Sequence, residues 1–437
     1  MKHLELKRTE QKCTELKHTE QKRTEQESIG ESTGLKRAES KRLVLGGLLM
    51  IFAYGLSNNI VAYYITPVTE SLGYTRAAFN FCFTLMSVVS FLTAPLYGWL
   101  FIKVPVRRII LLGGVIGAAC FVGYSFCSSI AAFYAVGIIQ GAVQNGSTNM
   151  AAVVLINRFF DEKHSGSAMG LVMSGTGICS MMMSAVLPML IERHGWRNGY
   201  LLCGFLWAAV MFAAFFLIKE NPSSVGEKRQ SEKEKQQEKS AVSGLTCRQA
   251  LHCGGFYLLL VCVLICNIIM VCSQHLPAYF QDVGLSGVQS GRVMMVFSLG
   301  LIVWKILLGQ CYDRLGAIPT VILSYVSFML GMWTLSLGAK WALIAGSLLA
   351  ALGIASSTVL FPLITRKVFG SREYAPIWGN ISMAVAFGVA VGSPIWGLFY
   401  DHFGSYRPAF WGAPVLLGVN LGLLVMLMKK EYYTDAG

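Results

Sequence analysis

Twelve apolar runs divide this chain, at residues 44–64, 78–101, 108–128, 131–155, 166–190, 199–218, 256–280, 289–311, 317–338, 341–364, 375–400 and 409–428. Each is close to the roughly 20 residues a helix needs to cross the hydrocarbon of a bilayer. Backbone N–H and C=O groups in hydrocarbon must be satisfied within the segment, so every run is predicted to be a helix. Two polar stretches interrupt this pattern. Residues 5–24 hold two copies of a ten-residue unit, Glu-Leu-Lys-Arg-Thr-Glu-Gln-Lys-Cys-Thr and Glu-Leu-Lys-His-Thr-Glu-Gln-Lys-Arg-Thr, too polar to bury a core and expected to be disordered or a frayed surface helix. The other is a charged insert between the sixth and seventh runs. The predicted organisation is a tail at 1–42, a six-helix bundle at 43–218, a linker at 219–250, a second six-helix bundle at 251–428 and a short tail at 429–437.

A short pattern recurs at the end of four of the runs. Its copies are Gly98 to Pro105, Pro188 to Gly195, Gly309 to Gly316 and Gly397 to Gly404, and three carry an acid in fifth place: Glu192, Asp313 and Asp401. With the charged insert removed the copies recur about every 90 residues, room for three membrane-spanning helices with their loops. Four three-helix units account for twelve helices.

Composition agrees with a membrane protein: 54% of the 437 residues are hydrophobic and only 14% are charged. The net charge of +13 does not come from a basic patch interleaved with aromatics, so nucleic acid is excluded as a partner. It reports orientation instead. Of the 36 Lys and Arg residues, Arg76, Arg193, Arg197, Arg292, Lys340 and Arg407 fall on one side of the predicted bilayer, and nearly all the rest on the other. The positive-inside rule then puts both termini in the cytoplasm of a multi-pass cell-membrane protein, and leaving out the tail and insert does not change the bias. The twelve cysteines lie mostly within apolar runs with no metal-type spacing, and read as small buried residues. No metal and no cofactor are expected. No His-Glu-x-x-His and no Ser/His/Asp grouping is present, so an enzyme is not expected either.

Lys305, four residues before Gly309, is the one Lys, Arg, Asp or Glu that the predicted spans place well inside hydrocarbon. A charge there is expensive and marks either a functional site or a side chain that snorkels to the nearby interface. Other polar residues fall within the runs: Tyr54 and Asn58 in the first, Gln140 and Gln144 on one stripe of the fourth, Asn267, Gln274 and His275 in the seventh. They read as the lining of a central cavity or as hydrogen-bonding stitches between helices. His275 could titrate near neutrality, and a lone histidine is more often structural. Small-residue pairs at Gly137/Gly141, Gly166/Gly170 and Gly388/Gly392 predict close helix contact, either static or at a sliding interface.

Twelve spans in two halves, the charged insert between them and the Gly-x-x-x-Asp-Arg-x-Gly loop at Gly309, Asp313, Arg314 and Gly316 resemble the major facilitator superfamily. Ser165 to Gly204, with Gly170, Gly175, Gly177 and Gly195-Trp196-Arg197, and Gly388 to Phe410, with Gly392-Ser393-Pro394, Tyr400-Asp401 and Gly404-Ser405-Tyr406, are similar to the oxalate/formate antiporters and monocarboxylate transporters. The resemblance implies an all-α membrane fold of two six-helix bundles, with a central site exposed alternately to either side. It implies a mechanical role for the loop motif, through Gly98, Arg107, Gly309, Asp313, Arg314 and Asp401, although Ile102 and Pro105 depart from it in the first copy.

It also implies that the cation before Gly309 binds the substrate carboxylate. Those families usually carry an arginine there, and lysine lacks its two-pronged geometry. The monocarboxylate transporters have an aspartate one turn earlier, associated with proton coupling, where this chain has Leu301. The expectation is a single-chain secondary transporter for small organic anions, with monocarboxylates foremost, running as proton symport or as exchange against a counter-anion. An exporter of neutral or cationic molecules and a non-transporting sensor are the alternatives; an embedded acid would have favoured the exporter.

Overall fold

A computed structural model describes residues 39–160, 162–218 and 244–430. The decapeptide repeat and most of the linker lie outside them. By contacts the chain forms two units, Met1–Leu43 and Val44–Gly437. Of the first, residues 39–43 are described and are helical. All that follows concerns the second.

Among the described residues the structure is helical, and the only β-pairing is an isolated bridge between Gly244 and Gly370. Ten helical stretches among the described residues are long and apolar enough to span a membrane, one of them the 54-residue run His164–Leu217. Two local irregularities bring the spans to twelve. Helix Gly175–Leu217 runs through Gly195, whose φ of 81° is not helical, so it holds two spans. The stretch from Ile130 to Phe159 is divided by a π-helical segment, Gly146–Met150, into pieces too short to count separately. The spans are 1 (44–72), 2 (Arg76–Lys103), 3 (Val106–Phe126), 4 (130–159), 5 (162–194) and 6 (196–217), then 7 (Gly254–Asp282), 8 (Gly287–Leu315), 9 (Ala317–Ser336), 10 (Lys340–Phe369), 11 (Tyr374–Phe403) and 12 (Arg407–Lys429).

Local chemistry sets the ends. Thr75 caps span 2 by accepting from the Ala78 amide at 3.2 Å, and Ser129 caps span 4 through the Ala132 amide at 3.3 Å. Ser286 and Gln289 form a reciprocal capping box at the start of span 8. The recurrent eight-residue pattern now has a structural meaning. Its last residue is the turn into the next span: Gly195, Gly316 and Gly404 have φ of 81°, 86° and 65°, a region that costs any side chain with a Cβ. In the first copy Pro105 serves instead, at φ −55°, and starts span 3.

Side chains sort by environment. Trp207, Phe133, Phe328 and Phe410 are fully buried between helices, whereas Phe126 is 76% exposed and Phe205 70%, as expected of an outer surface solvated by lipid rather than water. Trp207 occupies the space left by Gly117, and its indole N–H donates to the Gly113 carbonyl at 3.2 Å. The three glycine pairs do different jobs. Gly137 and Gly141 seat span 4 on Cys82 and Met86 of span 2, and Gly388 and Gly392 seat span 11 on Asn267 and Ile268 of span 7, each within one half. Gly166 and Gly170 pack on Asp313, Gly309 and Lys305 of span 8, across the two halves.

Lys103, Arg107, Arg108, Arg158, Arg314, Arg366 and Lys367 gather near the helix ends of one face, called here the basic face. The halves meet there at two crossings. Span 2 meets span 11 where Gly98 lies on Ala375, Pro376 and Gly379; span 5 meets span 8 where Gly309 lies on Gly166 and Ser167. Arg366 adds a hydrogen bond to the Phe160 carbonyl at 2.8 Å. Towards the opposite face Gly291 and Gly397 have no atom within 4 Å of where a Cβ would stand.

Candidate functional site

Span 5 is not continuous. Four poor helix formers in succession, Ser174-Gly175-Thr176-Gly177, interrupt it at Ser174, between helix Glu162–Met173 and the helix that begins at Gly175. The amides of Gly177 and Ile178 both bond the Ser174 carbonyl, at 3.0 and 3.1 Å. The Met173 carbonyl instead takes hydrogen bonds from two side chains. One is the hydroxyl of Thr176, at 3.2 Å.

The other is Lys305. Its ammonium reaches from span 8 to the Met173 carbonyl at 3.2 Å and the Thr176 hydroxyl oxygen at 2.8 Å. Lys305 is 7% exposed, and both partners are neutral. The carbonyl end of the first half-helix carries the negative end of its dipole, which suits a cation, but no carboxylate is among these partners. Gly170 makes the approach possible, because a Cβ there would collide with the Lys305 carbonyl.

Asn59 of span 1 braces the break from the other side. Its side-chain amide donates to the Ser180 hydroxyl at 2.7 Å and to the Thr176 carbonyl at 3.3 Å. Asn59 and Asn58 are exposed although they sit mid-span. Spans 1, 5 and 8 thus converge on one group of polar atoms: Asn59, Ser180, Thr176, the Met173 carbonyl and Lys305. Asn59, Thr176 and Ser180 were not singled out from sequence. The signal for Thr176 was its place in Ser-Gly-Thr-Gly; Asn59 stands next to Asn58, whose own side chain folds back onto the Tyr54 carbonyl at 3.0 Å.

The remaining candidates are dispersed. Tyr54 is half-buried in span 1. Gln140 and Gln144 are buried within the first half, donating to Ser57 at 2.7 Å and Ser90 at 3.4 Å. Asn267 is buried and bonds the Val263 carbonyl of its own helix, whereas Gln274 is exposed. His275 shares a hydrogen bond of 3.1 Å with the Tyr406 hydroxyl and lies nearly parallel to Trp396.

Of the residues expected to act mechanically, Gly98 and Gly309 sit at the two crossings. Asp313 accepts hydrogen bonds across the halves from the amides of Gly166 and Ser167, at 2.8 and 2.7 Å, and from the Ser167 hydroxyl. Arg314 and Asp401 are exposed. The Arg107 guanidinium lies 4.2 Å from the Phe215 ring centroid.

Twelve helices in two halves, with a lysine held at their junction, define a polytopic carrier. The chain belongs to the major facilitator superfamily, whose model matches residues 47–365; members of this family are transporters, not enzymes. Among curated proteins it is similar to rat monocarboxylate transporter 13, at 25% identity over 349 residues, 76% of each chain. It is also similar to the oxalate:formate antiporter of Oxalobacter formigenes, at 25% identity over 382 residues, covering 84% of this chain and 87% of the antiporter. The solved proton:xylose symporter XylE shares the fold, with a TM-score of 0.73, 13% identity, and coverage of 91% of this chain and 96% of that one.

Proposed function

We propose that this transporter carries small organic anions, monocarboxylates foremost, and that Lys305 binds the carboxylate. The observation that carries the reading is a buried ammonium whose hydrogen-bond partners, Met173 and Thr176, are uncharged. A cation taken out of water without a counter-charge is costly, and an anionic substrate supplies that charge. Asn59 and Ser180, on the exposed side of the same cluster, are suited to the second carboxylate oxygen or a hydroxyl next to it. The names of the rat and Oxalobacter relatives support the same substrate class.

The excess of Lys and Arg on the basic face supports placing that face in the cytoplasm of a cell membrane, with both chain ends there. In that orientation the structure is closed to the cytoplasm. Leu301 offers no proton carrier one turn before Lys305, which favours exchange of one anion for another over proton symport through a side-chain acid.

The test is uptake of labelled formate, lactate, pyruvate and oxalate into proteoliposomes, with and without a pH gradient or internal anion, in parallel with Lys305→Ala. Uptake by the parent that the variant lacks is the expected result. Equal uptake by both removes Lys305 from the site, and no uptake of any anion removes the substrate class.

A further inference from the structure

The crossings at the basic face obey one register. Eighteen residues before the first place of each pattern copy stand Asn80, Gly170, Gly291 and Gly379. Gly170 lies on the Cα of Gly309, and Gly379 on the Cα of Gly98. Each crossing therefore pairs the first place of one copy with the residue eighteen positions before another, in the other half. Gly170 also rests on the carbonyl of Lys305 and Gly379 on that of Ala94, both four residues before a first place. The acids follow the same rule. Asp313, fifth in its copy, takes the amides of Gly166 and Ser167, which stand twenty-two and twenty-one residues before Pro188. At the other crossing the fifth place is Ile102, and the residue matching Ser167 is Pro376, which has no amide to give. The acid and one of the two amides are thus lost together there, while Ala375, which matches Gly166, keeps its N–H.

The two copies towards the opposite face keep the spacing and an acid in fifth place, with Pro188 and Asn80 where the basic face has glycines, and lack the contacts. Gly291 and Gly397 face open space, and Asn80, Pro188, Glu192 and Asp401 are exposed. We infer that the opposite face closes in this register: Gly397 seats on Asn80, and Pro188 on Gly291. Asp401 then takes the amides of Arg76 and Ala77 at the start of span 2, as Asp313 does at span 5. Glu192 meets the amides of Gly287 and Val288 at the start of span 8. The first N–H groups of any helix have no partner within it and lie at the positive end of its dipole, which suits an acid at both places. Glycine occupies one member of each pair, where close backbone approach needs it. The inference depends on alternate exposure and not on which molecule is carried.

Oxidative cross-linking in membranes tests it without a substrate. The full chain carries Asn80→Cys with Gly397→Cys, or Pro188→Cys with Gly291→Cys, and is then cut by trypsin between the halves. A disulfide keeps the halves together on a non-reducing gel. A control pair, Phe81→Cys with Leu398→Cys, lies one residue further along both helices on exposed positions. Both designed pairs should link, several-fold faster than the control and than the parent with its native cysteines, and Asp401→Asn should slow the Asn80/Gly397 pair. Linking by neither pair, or at the control's rate, overturns the register. A Asn80/Gly397 rate unchanged by Asp401→Asn overturns the role of the acid. The anion reading fails separately, through uptake that ignores Lys305.

Discussion

The ammonium of Lys305 ends 2.8 Å from the hydroxyl of Thr176, so a charge that belongs to the second half of the molecule is held by the first. This contact exists because span 5 breaks at Ser174 and releases the Met173 carbonyl. It ties the proposed carboxylate-binding group to the surface that must part when the basic face opens.

Removing the charge should remove transport. Lys305→Gln keeps hydrogen-bonding capacity without the cation and is expected to lower anion uptake about tenfold or more, the scale of one lost charge-assisted hydrogen bond. Lys305→Arg should retain part of the activity with an altered preference among mono- and dicarboxylates. Initial rates in proteoliposomes at several concentrations check both.

Under the proposed function, Thr176 and a carboxylate compete for the same ammonium. Thr176→Val preserves shape and removes the hydroxyl, and should change the half-saturating concentration more than the maximal rate; Thr176→Ser should restore the parent value. Equal effects from the two substitutions would mean that packing, not the hydroxyl, sets the site.

Glycines at the crossings should tolerate substitution unequally. Gly170→Ala puts a methyl group into the Lys305 carbonyl and is expected to destabilise the closed basic face by about 1–3 kcal/mol, the range for overpacking. Gly291→Ala meets nothing within 4 Å and should leave that face closed. Accessibility of a cysteine introduced at Ser167, which is covered by Asp313, separates the two cases.

Near the linker, the Cys247 amide donates to the Glu373 carboxylate at 2.7 Å, and Asn380 donates to the Cys247 sulfur at 3.7 Å. Burial pushes the Cys247 thiol pKa up, with the Glu373 charge adding to it. Less thiolate is present at neutral pH than for a free cysteine. Maleimide should therefore label Cys247 slowly at pH 7 and faster as pH rises. Glu373→Gln, which removes the nearby negative charge, should speed labelling at fixed pH.

The repeat was legible in the sequence because each copy fixes a turn, and turns demand particular residues: Gly195, Gly316 and Gly404 need positive φ whatever surrounds them. Span count was legible from apolar length alone. The site was only half legible. Lys305 announced itself as a charge in hydrocarbon, but its partner Met173 contributes a carbonyl, which no side-chain pattern records. Gln140 and Gln144 share a stripe with polar neighbours, and the structure turns them towards Ser57 and Ser90 inside one half. Of three identical glycine spacings, Gly166/Gly170 alone bridges the halves, a distinction set by which helix lies opposite.

Asp313 clasps span 5 with charge, while Gly98 meets span 11 through the backbone of Ala375, Pro376 and Gly379. The closed face is therefore clasped by an acid at one crossing and by close backbone packing at the other. Dissolved salt can screen the acid's clasp, while close packing is indifferent to it.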